Sequence, residues 1–150
     1  MENIDFEDYR TSSIRHRTIM MTLNNDPEVA KFFYDFHGYV IGALTNRYLN
    51  NRSKVYVVSF DDEDVGMIFI NNVMDKIELA YAILPDKRQK GYGHKMLEFF
   101  VEYVRAMYDD TEIFLSINQK NLASIKTAES VGFVKAGSII YKYEKKGLSV

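Results

Sequence analysis

A chain of 150 residues, 47% hydrophobic and 27% charged, has the composition of an ordinary globular protein, long enough to bury roughly 70% of its unfolded surface, so one domain over residues 1–150 is expected. Its 19 basic residues are mixed among 21 acidic ones for a net charge of −2, which gives no overall positive field, and neither nucleic acid nor a membrane surface is expected as a partner. The absence of cysteine excludes disulfides, cysteine nucleophiles and thiolate metal sites, and residues 1–5 carry no basic-then-apolar leader, so a cytoplasmic protein is expected.

Taken in order, residues 3–9 read as an edge strand or lead-in, and residues 10–23 mix polar and apolar side chains in a weakly helical pattern. Asp26 followed by Pro27 is a helix start, with Val29, Phe32, Phe33 and Phe36 on one side, so a helix over 27–36 is expected. Gly38 is expected to interrupt, and Ile41, Leu44, Tyr48 and Leu49 suggest a further helix. Residues 55–60 and 65–70 are β-branched and aromatic runs separated by Asp61, Asp62, Glu63 and Asp64, which reads as a hairpin with a solvated acidic turn. A second turn over 71–75 leads to a third strand and completes an antiparallel meander.

That third strand organises the rest. Ile77, Leu79, Tyr81 and Ile83 form a bulky face, and Glu78, Ala80 and Ala82 a nearly bare one. Residues 84–93 follow as a basic, glycine-containing loop, and residues 94–108 place Met96, Leu97, Phe100, Val101, Val104, Met107 and Tyr108 at helical spacing. Strand, glycine loop and helix start together form an anion cradle, because Gly91 and Gly93 admit backbone conformations closed to other residues and the helix mouth presents N–H groups and a positive dipole end. The spacing fits neither a Rossmann fingerprint nor a P-loop, so a plain glycine turn into a helix stays open from these residues alone. A strand over 112–117, a helix over 122–131 ending at Gly132, and a hairpin around Gly137 and Ser138 complete the chain.

Pro85, Arg88, Gly91 and Gly93 resemble the Arg/Gln-x-x-Gly-x-Gly/Ala coenzyme A loop of the GNAT N-acetyltransferases. Downstream, Asn121, Leu122, Ala123, Ser124 and Ile125, continuing to Gly132 and Phe133, resemble that family's second motif, an Asn that opens a helix ending in Gly-Phe. The resemblance runs over residues 65–143, with Gly66 at the usual start of the third strand. The Asn25 to Val29 stretch and the Asn121-x-x-Ser124-Ile125 helix look most like the subgroup that includes the ribosomal-protein alanine acetyltransferases. The implied fold is mixed α/β: a six- or seven-stranded, mostly antiparallel sheet flanked by helices and splayed after the Ile77 strand to admit acetyl-CoA.

The resemblance implies a direct acetyl transfer from acetyl-CoA to a primary amine of a small molecule or protein N-terminus. The amides of Gln89, Gly91, Tyr92, Gly93 and His94 would hold the pyrophosphate, with Arg88 and Lys90 adding charge unless they are solvated loop residues. Ile83 would offer its N–H to the thioester oxygen. Asn121 would bond the pantetheine arm or cap its helix, and Ser124 and Lys126 would reach the coenzyme or form an exposed helical surface. Amine acetylation needs a neutral amine, yet an alkylamine has a pKa of ~10. Glu78, on the bare strand face, is the candidate base, the alternative being a carboxylate with no task. His37 is second choice; His16, His37 and His94 lack metal-ligand spacing, and no metal is expected.

Many family members carry a tyrosine four residues before the helix-ending glycine, to protonate the leaving thiolate; here it is Ala128, with Tyr141 and Tyr143 as substitutes. That departure leaves a different class open, a non-catalytic acyl-CoA-binding or regulatory module. Phe32, Phe33, Phe36, Tyr39 and Tyr48 line an acceptor pocket or, as is commoner for such a stripe, form core. A homodimer is compatible with everything above.

Overall fold

The structure is a computed structural model that describes residues 3–33, 35–50 and 52–144, without side chains over 46–50. Among the described residues, seven strands and five α-helices run in the order β1 (Ile4–Asp8), α1 (Ile14–Asn24), α2 (Pro27–Phe32), α3 (Phe36–Asn50), β2 (Ser53–Phe60), β3 (Glu63–Val73), β4 (Lys76–Ile83), α4 (Tyr92–Met107), β5 (Ile113–Ser116), α5 (Leu122–Val131), β6 (Phe133–Lys135) and β7 (Ile140–Tyr143). The strands hydrogen-bond in the order β1-β2-β3-β4-β5-β7-β6. Pairing is antiparallel in β1–β2, β2–β3, β5–β7 and β6–β7 and parallel in β4–β5, so this is the mixed, mostly antiparallel sheet with helices that was expected. No helix among the described residues is long and apolar enough to cross a membrane.

The chain forms two compact units, Met1–Asn71 with Ala80–Tyr92, and Asn72–Leu79 with Gly93–Val150. In the first, α1 starts at Ser13, whose hydroxyl accepts the His16 N–H at 3.1 Å, and α2 at Asp26, whose carboxylate accepts the Val29 N–H at 3.2 Å. The helix expected over 27–36 ends at Phe32, and Phe36 opens α3 instead. Gly38 does not interrupt: it lies in the first turn of α3, where its N–H donates to the Asp35 carboxylate at 3.0 Å. A Cβ at Gly38 would fall on that carboxylate, so the glycine makes room for the cap rather than breaking the helix. The core of this unit joins Ile19, Leu23, Val29, Phe36 and Val40 to Val55, Val57, Met67, Phe69 and Ala82, with Phe33 and Tyr39 packed against it. The aromatic stripe is therefore largely core; the side chain of Tyr48 lies outside the described residues.

The acidic turn is shorter than expected, because Asp61 (φ 49°) and Asp62 (φ 67°) alone reverse the chain, while Glu63 and Asp64 belong to β3. Two consecutive left-handed residues match the twist of a two-residue hairpin, a conformation that Asp tolerates. Met74 and Asp75 repeat the device before β4. Asp64 pairs with Arg15 at 2.7 Å and Glu63 with Lys87 at 3.2 Å, so these carboxylates have structural partners. Among the described residues no group of three His, Asp or Glu side chains could hold a metal ion.

His16 is fully buried, with Nδ1 accepting the Arg10 N–H at 3.0 Å and its ring stacked on Tyr9. Burial holds its imidazole below the ordinary histidine range, against the pull of Glu7. A histidine whose folded pKa is depressed contributes stability that is present above the unfolded value of about 6.5 and lost as pH falls through the folded value. Thermal melts taken downward from about pH 8 should show that loss in the native chain, whereas His16→Gln should start lower and fall less.

In the second unit, α4 buries Met96, Leu97, Phe100, Val101 and Val104 of the stripe read from its spacing, whereas Met107 is 56% exposed and Tyr108 lies beyond the helix end. Strand β5 pairs with β4 in parallel through Ile77↔Ile113 and Glu78↔Phe114, and buries Ile113 and Leu115. Helix α5 runs between an Asn121 cap and Gly132, which takes φ 120°, as expected for a helix-ending glycine.

Candidate functional site

The end of β4 is tightly fixed. Leu84 N–H donates to the Val65 carbonyl at 2.8 Å, and a Cβ on Gly66 would collide with the Ala82 carbonyl, so only glycine admits this approach of strand to strand. Ile83 is half-buried, and its own carbonyl accepts from Arg88 Nε at 3.1 Å. Ala80 and Ala82 pack on the core cluster of the first unit.

After β4 the chain makes a single 3-10 turn at Pro85–Lys87 and enters α4 at Tyr92, two residues earlier than the spacing suggested. Between them Gln89 (φ 60°) and Gly91 (φ 85°) are both left-handed. A left-handed residue beside a right-handed helical one turns successive N–H groups toward one side and makes an anion-binding concavity, and a helix start adds first-turn amides with no partner inside the helix. The conformational freedom expected of both glycines is used at Gly91 only. Gly93 sits inside α4 with a helical backbone, so its contribution is the side chain it lacks. At Gly91 nothing lies within 4 Å of where a Cβ would be, so the space above the loop is open.

Three tethers hold this loop within the first unit. Arg88 pairs through its second guanidinium nitrogen with Asp26 at 2.6 Å, Lys87 with Glu63 at 3.2 Å, and the Tyr92 ring lies 5.2 Å from that of Phe60. Burial of Asp26 opposes its ionisation, but the Arg88 guanidinium outweighs this and holds the carboxyl below the ordinary range. Gln89 and Lys90 are exposed on the loop.

Glu78 is half-buried on β4 between Ile77 and Leu79, each only 1% exposed, and lies opposite Phe114 in the parallel register. Asn121 caps α5, its side-chain oxygen accepting the Ser124 N–H at 3.2 Å; Ser124 is half-buried and Lys126 exposed. Ala128 is completely buried. Tyr141 is buried, and Tyr143 packs edge-on to Phe133 with the Arg105 guanidinium above its ring. His37 is exposed on α3, with Nδ1 at 3.4 Å from the Met20 sulfur.

Two partners escaped the sequence. His94, in the first turn of α4, has Nδ1 at 2.7 Å from Ser130 Oγ, which itself donates to the Thr127 carbonyl at 2.6 Å. The serine proton is thus directed to the Thr127 carbonyl, and with Glu98 3.6 Å from His94 Nε2 the group joins α4 to α5. Asp26 was read as a helix cap, which it is, but nothing in the spacing points to Arg88 as its second partner. A separate cavity of about 480 Å³ in the second unit is lined by Glu102, Arg105, Asp109, Glu112, Lys142 and Tyr143, the last named above as a substitute acid; Glu102 pairs with Arg105 and Glu112 with Lys142.

A model of the acetyltransferase (GNAT) domain matches residues 8–134. Nothing among curated proteins matches the chain. Among solved structures, spermidine N-acetyltransferase from Vibrio cholerae in complex with CoA and spermine is 17% identical with a TM-score of 0.72, over 89% of this chain and 82% of that one. A ribosomal L7/L12 α-N-protein acetyltransferase in complex with coenzyme A is 14% identical with a TM-score of 0.73, over 89% and 81% of the two chains. An aminoglycoside acetyltransferase in complex with coenzyme A and kanamycin is 14% identical with a TM-score of 0.71, over 96% of each. Such distant likenesses establish a shared fold and, spread over three kinds of acceptor, select no subgroup. The family model spans most of the sequence, and by it the chain belongs to the GNAT family of acetyl-CoA-dependent N-acetyltransferases.

Proposed function

We propose that this chain, as a single acetyltransferase domain in the cytoplasm, transfers acetyl directly to a primary amine of a small molecule or a protein N-terminus, with residues 89–94 as the coenzyme pyrophosphate site. One observation carries the reading: left-handed Gln89 and Gly91 lead into the first turn of α4 beneath open space. Acetyl-CoA supplies the acetyl group as a thioester whose carbonyl carbon the amine nitrogen attacks. The amides of Gln89, Gly91, Tyr92, Gly93 and His94 bind the phosphates, Lys90 adds charge at the rim, and Asn121 and Ser124 on α5 meet the pantetheine arm. The Ile83 N–H faces the thioester oxygen, where charge grows as the carbonyl becomes tetrahedral.

Glu78 takes the proton that the amine must shed, directly or through one water, since at neutral pH an alkylamine of pKa ~10 is almost wholly charged and a peptide α-amine of pKa ~8 is mostly so. The new N–C bond forms and the C–S bond breaks, coenzyme A departs as a thiolate that takes up the second proton of the amine nitrogen, and because its conjugate acid has a pKa of only ~8.5 no separate acid is obligatory, which suits Ala128 in place of tyrosine. No cysteine is present to carry the acetyl group, which favours one direct step. Within the family, the Asn25 to Val29 stretch and the Asn121 helix favour the ribosomal-protein alanine acetyltransferase-like subgroup, and so a peptide N-terminus among the acceptors.

The acceptor class is testable with one panel containing an alanine-initiated peptide, spermidine, kanamycin and an amino sugar, each incubated with acetyl-CoA and read by product mass. The peptide is expected to be acetylated at its α-amine with the highest kcat/KM. Preference for spermidine, kanamycin or the sugar by tenfold or more, on the order of 1.4 kcal/mol in transition-state binding, would remove the subgroup assignment.

A further inference from the structure

We propose that Arg88 is a positioning residue for acetyl transfer, one whose guanidinium sets the end of β4 against the start of α2 instead of meeting the coenzyme phosphates. The inference rests on the reading of Ile83 as the donor that faces the thioester oxygen. Arg88 stands at the head of the glycine loop, where its charge would ordinarily be credited to phosphate binding. Its side chain, 28% exposed, is committed elsewhere: Nε donates to the Ile83 carbonyl at 3.1 Å, and a terminal nitrogen meets Asp26 at 2.6 Å.

Asp26 is itself only 9% exposed in its side chain and holds the first turn of α2 through Val29. A planar fork that reaches a strand carbonyl with one edge and a buried carboxylate with another fixes both directions at once, which a lysine cannot do. With Asp26 so close, the charge of Arg88 is largely neutralised toward anything on the far side of the loop.

The carbonyl that Arg88 grips belongs to the residue whose N–H is the proposed donor. The peptide that follows is held by Leu84 N–H on the Val65 carbonyl, and the one that precedes is hemmed in by the approach of Gly66 to Ala82. Arg88 therefore completes the restraint on Ile83 and leaves its N–H one direction. The loop keeps its other tethers, Lys87 to Glu63 and Tyr92 to Phe60, so losing Arg88 should release the strand end without releasing the cradle.

The test uses the full chain as Arg88→Gln, Arg88→Lys, Asp26→Asn and the double variant Arg88→Gln/Asp26→Asn. Asparagine caps a helix as well as aspartate, so Asp26→Asn removes the ion pair and keeps the cap. Coenzyme A affinity by calorimetry should stay within about threefold of native in all four, while kcat for the best panel amine falls about tenfold in Arg88→Gln and Asp26→Asn. The double variant should be no slower than the worse single one, and Arg88→Lys should recover part of the rate through its charge. Amide exchange at Leu84, measured without coenzyme, should quicken in the same variants. The proposal is overturned if Arg88→Gln weakens coenzyme A by about tenfold or more while Asp26→Asn does not, the pattern of a phosphate contact. It is equally overturned if Leu84 exchange or kcat is unchanged in Arg88→Gln. Should the native chain bind no coenzyme A, the coenzyme reading fails by itself, and the exchange result still decides whether Arg88 holds the strand end.

Discussion

Gly91→Glu is expected to abolish coenzyme A binding while the fold survives. Two effects have to be separated, because any side chain at position 91 must adopt φ 85°. That conformation costs an L-residue about 1–2 kcal/mol, and Gly91→Ala measures the cost alone. Space is not the difficulty, since nothing lies within 4 Å of the added Cβ. The glutamate differs from alanine by a carboxylate in the open region above the loop, where the diphosphate is to sit. At about 5 Å and an effective dielectric constant of about 20, the repulsion from one phosphate charge is about 3 kcal/mol, or a weakening of at least a hundredfold. Calorimetry on the native chain, Gly91→Ala and Gly91→Glu should therefore give a modest step followed by a large one, with both variants melting at nearly the same temperature. Equal affinity in Gly91→Glu and Gly91→Ala would mean that the phosphates lie elsewhere.

Glu78→Gln is expected to lower kcat by about a hundredfold near neutral pH, at the lower end of what a positioned general base contributes. The size of the loss should depend on pH in a particular direction. Near pH 7 nearly every acceptor amine is protonated, and removing the base leaves no route for that proton. As pH rises past the acceptor's own pKa, ~8 for a peptide α-amine and ~10 for an alkylamine, the free amine appears unaided and the gap between variant and native chain should close. Coenzyme A affinity should stay near normal, since the residue is read as serving the acceptor. A pH-rate profile that keeps the native shape would take Glu78 out of the proton path, leaving His37 as the next residue to replace.

How much of this was legible in the sequence depends on the range of the interaction concerned. The passage from β4 into α4 is written in two periods, alternation through Ile77, Leu79, Tyr81 and Ile83 and helical spacing through Met96, Phe100 and Val104, and both are local. The ends of α5 are marked by Asn121 and Gly132, whose side-chain chemistry and backbone freedom act within one turn. Gly38 misled because helix propensity is a weak term, smaller than the cap that Asp35 supplies once the chain turns there. Gln89 gave no warning of its left-handed backbone, a conformation imposed by the geometry of the loop. The pairs Arg88 with Asp26, Arg15 with Asp64 and His94 with Ser130 join residues far apart in the chain, and one sequence carries no mark of such meetings. For the same reason Arg88 read as a loop charge, and only the fold revealed where its guanidinium goes. Acceptor preference is least legible, because the aromatic residues of α2 and α3 had to be chosen for the core as well as for any pocket.

Direct transfer is tested most plainly by following the acetyl group by mass spectrometry, with the native chain and acetyl-CoA incubated in the presence and absence of the best amine. Without amine, coenzyme A should remain acetylated and the protein mass unchanged; with amine, free coenzyme A and acetylated amine should appear in equal amounts. Acetyl on the protein that then passes to the amine would contradict the single step, and tight coenzyme binding with no amine-dependent release would contradict catalysis at this site.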